Sequence, residues 1–390
     1  MTGPASSTAK PCSGRARLLV VLTTAGIVVA LAEWGSSRVI PPDLAPEAIG
    51  RPENVIWIPR LPAELPMDRG GASVWMLGNS HTFALPGLKP DDELRTELSG
   101  IVIDRLSMKL TAKYPGVQTN LYLLAYPNFL PFEMLTRVGQ MLERGQRPKV
   151  VFLGLTFANL ARDSRLRHEV YLTYREPGFA DAFEAMLVDP TVHADGEILE
   201  EVGAQRRRAE HDQEAERLRS DADRLDEQLV TWAAKRLTLI GKSSALRAQA
   251  MRKLMGGIQQ KWADRQGTKY SYDLIEHDFA FNVKCLKALL RLLKQTGAEV
   301  LCYYAPERTD LPLMIDPVRQ EAFMAAFNRD AQELGIPVLD ARGLVPNEYW
   351  GWVEGAPDRS HFTEPGHERL AEFLLEEAEK RSVWKELTAP

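Results

Sequence analysis

The sequence predicts an α/β fold. The expected form is an open three-layer α/β/α sandwich with a parallel sheet, carrying an inserted helical hairpin and an apolar, membrane-type helix at its N-terminus. Three observations predict it. Short apolar runs alternate with amphipathic stretches from residue 72 onward, a charge-dense block breaks that alternation at 197–266, and residues 18–32 carry no charge at all. A strand of a parallel sheet is buried on both faces and reads as a continuous apolar run. Its crossover to the next parallel strand needs a helix, so alternation of the two patterns is the signature.

At the N-terminus, residues 1–17 are rich in Ser, Pro and Gly and carry Lys10, Arg15 and Arg17 with no acid. The fifteen uncharged residues 18–32 are short against the roughly 20 that a span needs, with Glu33 and Trp34 placed for an interface. The basic flank keeps the N-terminal end in the cytoplasm and exports the chain beyond Trp34. A retained single-pass anchor in residues 1–34 is favoured by the long basic lead, and puts the rest of the chain on the periplasmic side of the inner membrane. A cleaved leader stays open, because Ala30-Leu31-Ala32 matches a small-x-small cleavage pattern, and then the product is secreted. Residues 35–71 include seven prolines and read as an extended tether.

The globular domain is expected over 72–196 and 267–390. Strands are expected at 73–77, 119–125, 150–155, 299–304 and 337–339. Helices are expected at 94–114, 131–144, 279–296, 319–334 and 367–380. Within 197–266, Leu218, Ala222, Leu225, Leu229 and Trp232 recur at helical steps, and Leu246, Met251, Leu254 and Ile258 mark a returning helix, so an antiparallel hairpin packed on the domain's side fits.

Composition removes several function classes. Among 390 residues, 48 Lys and Arg against 53 Asp and Glu leave a net charge of −5, which offers no basic field for nucleic acid. Cys12, Cys285 and Cys302 are too few for a disulfide scaffold and lack zinc-ligand spacing, though one bridge from Cys285 to Cys302 stays open. His361 and His367 would need a third ligand to hold a metal, and no third ligand is evident, so neither a metal nor another cofactor is expected.

Two separated segments carry chemistry. The first strand runs into Gly78-Asn79-Ser80-His81-Thr82. A serine just past the carboxyl end of a parallel strand has its hydroxyl exposed and its N–H free to stabilise an oxyanion, as a nucleophile requires. The same pair also serves as an ordinary turn or helix cap. The second segment, Asp358-Arg359-Ser360-His361-Phe362-Thr363-Glu364-Pro365-Gly366-His367, reads as a loop before the last helix. Asp and His three apart can set a carboxylate against the imidazole Nδ1–H, leaving Nε2 to deprotonate a serine. His81 reads as a cap or packing residue with a substrate contact open to it, and Trp350 and Trp352 as packing residues with a stacking role in a sugar-binding cleft open to them.

Together these two elements resemble the first and last motif blocks of the SGNH (GDSL-type) hydrolase superfamily, and they bracket about 290 residues. The resemblance implies a flavodoxin-like three-layer fold and a triad of Ser80, His361 and Asp358, with Asn79 where the pattern usually has Asp. It also implies oxyanion or substrate-binding residues, for which Asn79, Asn128 and Asn159 are the candidates. The middle blocks depart from the pattern. Tyr126-Pro127-Asn128-Phe129 has no glycine, and Gly154-Leu155-Thr156-Phe157-Ala158-Asn159 puts Thr156 in the strict asparagine position.

The N-terminal segment makes the chain similar to the membrane-anchored branch that modifies cell-envelope polymers, such as polysaccharide O-acetylation factors and the D-alanylation protein of teichoic acids. That likeness implies a serine esterase or O-acyl(acetyl)transferase acting on envelope polysaccharide or other ester substrates, with a membrane-bound acyltransferase as partner. The rival expectation is a catalytically weak, membrane-tethered scaffold that holds a partner through the 197–266 hairpin.

Overall fold

The computed structural model describes residues 55–57, 72–83, 101–125, 129–161, 168–217, 275–311, 313, 315–353 and 356–384. They lie in one compact unit formed by 47–217 and 266–390. The expected membrane segment, most of the expected hairpin and Asn128 lie outside the described residues. Among the described residues, no helix is long and apolar enough to cross a membrane.

The main sheet has six parallel strands. In chain order they are β1 (Val55–Trp57), β2 (Ala72–Gly78), β3 (Thr119–Ala125), β4 (Val150–Leu155), β5 (Glu299–Tyr304) and β6 (Val338–Asp340), arranged as β1-β3-β2-β4-β5-β6. β1 lies within the proline-rich stretch and adds to the edge beside β3, with Val55 opposite Leu121. Because side chains alternate across a strand, each central strand serves two cores. Trp75, Leu77, Val151, Leu153 and Tyr304 face one, and Val74, Met76, Phe152 and Tyr303 face the other.

Ten α-helices belong to the described residues. They are α1 (Ser80–Phe83), α2 (Val102–Lys113), α3 (Pro131–Glu143), α4 (Phe157–Leu160), α5 (His168–Tyr171), α6 (Phe179–Val188), α7 (Gly196–Arg217), α8 (Glu276–Gln295), α9 (Pro317–Glu333) and α10 (Glu364–Lys380). Leu135 and Val138 of α3, Leu289 and Leu293 of α8, and Phe323 and Phe327 of α9 cover one face of the sheet. Leu106 and Leu110 of α2 with Leu370 and Leu374 of α10 cover the other, which completes the three layers.

Asp316 starts α9 by accepting the N–H groups of Val318 and Arg319 at 2.8 and 3.2 Å, with Pro317 in the first turn, where its missing N–H costs nothing. α7 buries Ile198, Val202 and Ala209 in the same core as α6. Cys285 and Cys302 are free, buried thiols, and burial pushes both up.

The segment with Asp358 and His361 is a strand. β7 (Trp350–Val353) and β8 (Ala356–Phe362) form a separate antiparallel hairpin, irregular between Trp350 and Trp352, leading into α10. This corrects the loop expected there. The pairing that makes Pro357-Asp358-Arg359-Ser360 a strand comes from β7, and polar residues around a proline do not announce it.

Candidate active site at the sheet's switch point

β2 lies at the centre of the sheet. From it the chain crosses to β3 on one side and then returns past it to β4 on the other. Ligands of such sheets bind in the crevice outside the carboxyl ends of the strands where the order reverses. Asn79, Ser80 and His81 leave β2 at that point, and Thr156 leaves β4 beside them.

Asn79 ties the two strand ends together. It is 4% exposed, and its Oδ1 accepts the backbone N–H of His81 at 3.1 Å. A backbone N–H can only donate, so the atom facing it is the oxygen, and the remaining amide atom is Nδ2. Nδ2 donates to Thr156 Oγ1. The His81 ring Nδ1 lies 2.8 Å from Asn79 Oδ1, so the ring must donate there and carries its proton on Nδ1. Desolvation holds the His81 ring down at about 3, and the nearby charge of His361 adds to the effect. Thr82 donates its Oγ1 proton to the Asn79 carbonyl at 2.7 Å and closes the turn. Gly78 leaves room for it, since a Cβ there would lie 2.6 Å from Thr82 Cγ2.

The second half of the site comes from β8. His361 Nδ1 lies 2.7 Å from Asp358 Oδ2, and His361 N–H donates to Asp358 Oδ1 at 3.1 Å. Both carboxylate oxygens thus orient one histidine. The Asp358 side chain is 4% exposed and that of His361 23%, so the acid is enclosed and the ring reaches the surface. Arg308, just after β5, holds the hairpin from behind. Its Nη1 donates to the carbonyls of Gly351 and Asp358 at 3.3 and 3.2 Å, while Nε and Nη2 grip Asp310.

The two halves meet. The His81 ring lies 6.4 Å from Phe362 and 6.5 Å from Trp350, and the charges of His361 and Asp358 both act on it. Residues nearly 280 positions apart therefore share one crevice. A small cleft of ≈ 30 Å³ opens beside them, lined by His81, Thr156, Phe157, Glu307, Arg308 and Arg359 among others. A larger groove of ≈ 500 Å³ lies by Glu299, Pro337 and Arg381, at the amino ends of β5 and β6, on the far side of the sheet from this chemistry.

Of the residues singled out from the sequence, Asp358, His361 and Asn79 come together with the turn that bears Ser80. Ser80 heads α1, and Asn159 lies within α4. Trp350 is buried, donates Nε1 to the Val345 carbonyl at 3.2 Å and packs on Phe362. His367 is fully buried, its ring 4.5 Å from that of Phe362. Among the described residues no group of three or more His, Cys, Asp or Glu could hold a metal ion.

Sequence reasoning missed Glu307 and Arg308 as neighbours of the site. Their only signal was their place at the carboxyl end of a buried strand. Glu307 accepts Gln320 Nε2 at 3.1 and 3.0 Å, and burial raises its pKa.

Fold and site together define a doubly wound α/β protein with an Asp–His pair and a serine-bearing turn at the switch point. Neither the known family models nor the curated proteins include a match to this chain. Among solved structures, it is similar to a family two carbohydrate esterase from Clostridium thermocellum, with 9% identity, a TM-score of 0.36, and 80% of this chain against 64% of that one, just under two thirds of its length. It is also similar to a lipase/acylhydrolase from Enterococcus faecalis, with 13% identity, a TM-score of 0.33, and 80% and 96% coverage. An acetyl xylan esterase from Geobacillus stearothermophilus is similar at 12% identity, a TM-score of 0.34, and 79% and 94% coverage.

Proposed function

We propose that this chain is a serine esterase or O-acyl(acetyl)transferase that acts outside the cytoplasm on ester groups of envelope polysaccharide or related substrates. The observation that carries the proposal is the Asp358–His361 pair, bonded at 2.7 Å and set against the turn that bears Ser80. Asp358 fixes the His361 tautomer with the proton on Nδ1, which leaves Nε2 as the base. His361 takes the Ser80 proton as the serine oxygen attacks the ester carbonyl, then returns it to the leaving alcohol. The enclosed carboxylate stabilises the imidazolium formed in between. Water or a sugar hydroxyl then takes the acyl group from Ser80, with His361 as base once more.

Export rests on the basic lead and the uncharged run 18–32. In this reading the inner membrane holds the anchor, and a membrane-bound acyltransferase supplies acyl groups to the site.

A fluorophosphonate probe tests the chemistry. The full chain is expected to be labelled on Ser80, and Ser80→Ala is expected to abolish the label. Undiminished labelling of that variant would rule out the serine mechanism.

A further inference from the structure

We propose that the Thr156 hydroxyl is the side-chain donor to the oxyanion at this site, held in donor orientation by Asn79 and, through it, by His81. The proposal rests on the serine mechanism and deepens it.

The hydrogen-bond directions leave little freedom. Asn79 Oδ1 receives the His81 backbone N–H at 3.1 Å, so the amide is not flipped. Nδ2 bears only donors, and one of them goes to Thr156 Oγ1, which must therefore accept. A hydroxyl that accepts along one lone pair still has its own proton to give. No acceptor among the described residues takes that proton, and Thr156 is partly exposed on the wall of the cleft.

Upstream, the buried His81 ring is neutral and donates Nδ1–H to the same Asn79 oxygen at 2.8 Å. The chain His81 to Asn79 to Thr156 thus runs one way, each donor polarising the next, and it ends on a proton aimed away from Asn79. Thr156 comes directly after β4, the neighbour of β2 across the switch point. As the serine oxygen bonds to the ester carbon, the carbonyl π pair moves onto oxygen and the serine proton passes to His361. The Thr156 O–H stays intact and donates to the new oxyanion. Asn79 and His81 are positioning residues in this scheme.

The asparagine at 79 is necessary for the arrangement. An aspartate there has no N–H to give. It would accept the Thr156 proton and turn it away from the cleft.

The test uses the full chain, p-nitrophenyl acetate turnover and the fluorophosphonate labelling rate. Thr156→Val is expected to lower kcat by about 10² to 10³, with KM little changed, as for loss of one oxyanion donor. Thr156→Ser keeps the hydroxyl and is expected to restore most of the rate. Asn79→Asp is expected to fall as Thr156→Val does, and the double variant to fall no further.

Labelling of Thr156→Val at the wild-type rate, with the wild type labelled on Ser80, overturns the Thr156 role and leaves the serine mechanism standing. A wild type not labelled on Ser80 overturns both. If thermal unfolding shows Thr156→Val to be misfolded, the other two variants decide, and Asn79→Asp at the wild-type rate overturns the proposal.

Discussion

His81 shows how a single buried side chain links the site to the stability of the fold. Its ring titrates at about 3 in the folded protein, against an ordinary 6.5, because desolvation penalises the imidazolium and His361 repels it. Between those values the unfolded chain binds a proton that the folded one does not. The stability that this residue allows is therefore complete above about pH 6.5 and is lost as pH falls toward 3, by up to about 1.4 kcal/mol per pH unit. His81→Gln removes the titration and is expected to flatten the acid limb of stability in urea titrations across that range. An unchanged slope would mean that the ring is not held neutral. At this scale the sequence nominates candidate residues but not how they are bonded. Ser80, His361 and Asp358 are legible from type and spacing. The role of Asn79 in orienting Thr156 needed the atom-by-atom directions of two hydrogen bonds.

The elements most readable in the sequence are those buried on both faces. The strands at 119–125, 150–155 and 299–304 form over the expected residues, because a central parallel strand must be apolar throughout. Exceptions arise where pairing is supplied from elsewhere. β1 is three residues among prolines and exists as a strand through β3, and β8 exists through β7.

The α3–α6 contact offers a test in which two effects oppose each other. A Cβ on Gly139 would lie 2.3 Å from Phe183 Cδ2, and Phe183 is fully buried and stacked on Phe179 at 5.4 Å, so its ring cannot yield. Gly139→Ala gains about 1 kcal/mol of helix propensity, while forcing atoms into a filled core costs about 1–3 kcal/mol. Destabilisation is expected to win, lowering the urea midpoint. A raised midpoint would show that the helices can move apart.

Among the described residues, two cores separated by one sheet hold the site's halves in register. α10 continues directly from β8 and packs on α2, where Lys109 bridges Glu368 and Glu372 at 2.5 and 3.0 Å. Such exposed pairs contribute roughly 0.2–1 kcal/mol each, so the apolar contacts of Leu106, Leu110, Leu370 and Leu374 do most to fix where the hairpin lies.

The proposed export belongs to this scale too. Protease added outside spheroplasts that express the full chain is expected to digest the globular domain while sparing residues 1–17. A domain resistant until the membrane is opened would refute the proposed orientation.

Local sequence alone determined the alternation of strands and helices and the residue types able to perform acyl chemistry. Each comes from periodicity or side-chain type within a short window. Only the tertiary structure decided that the turn after β2 and the hairpin before α10 meet at one crevice, and that Thr156 faces it. Those contacts join residues far apart in the chain, and they are set by the order of strands in the sheet, which no short window contains.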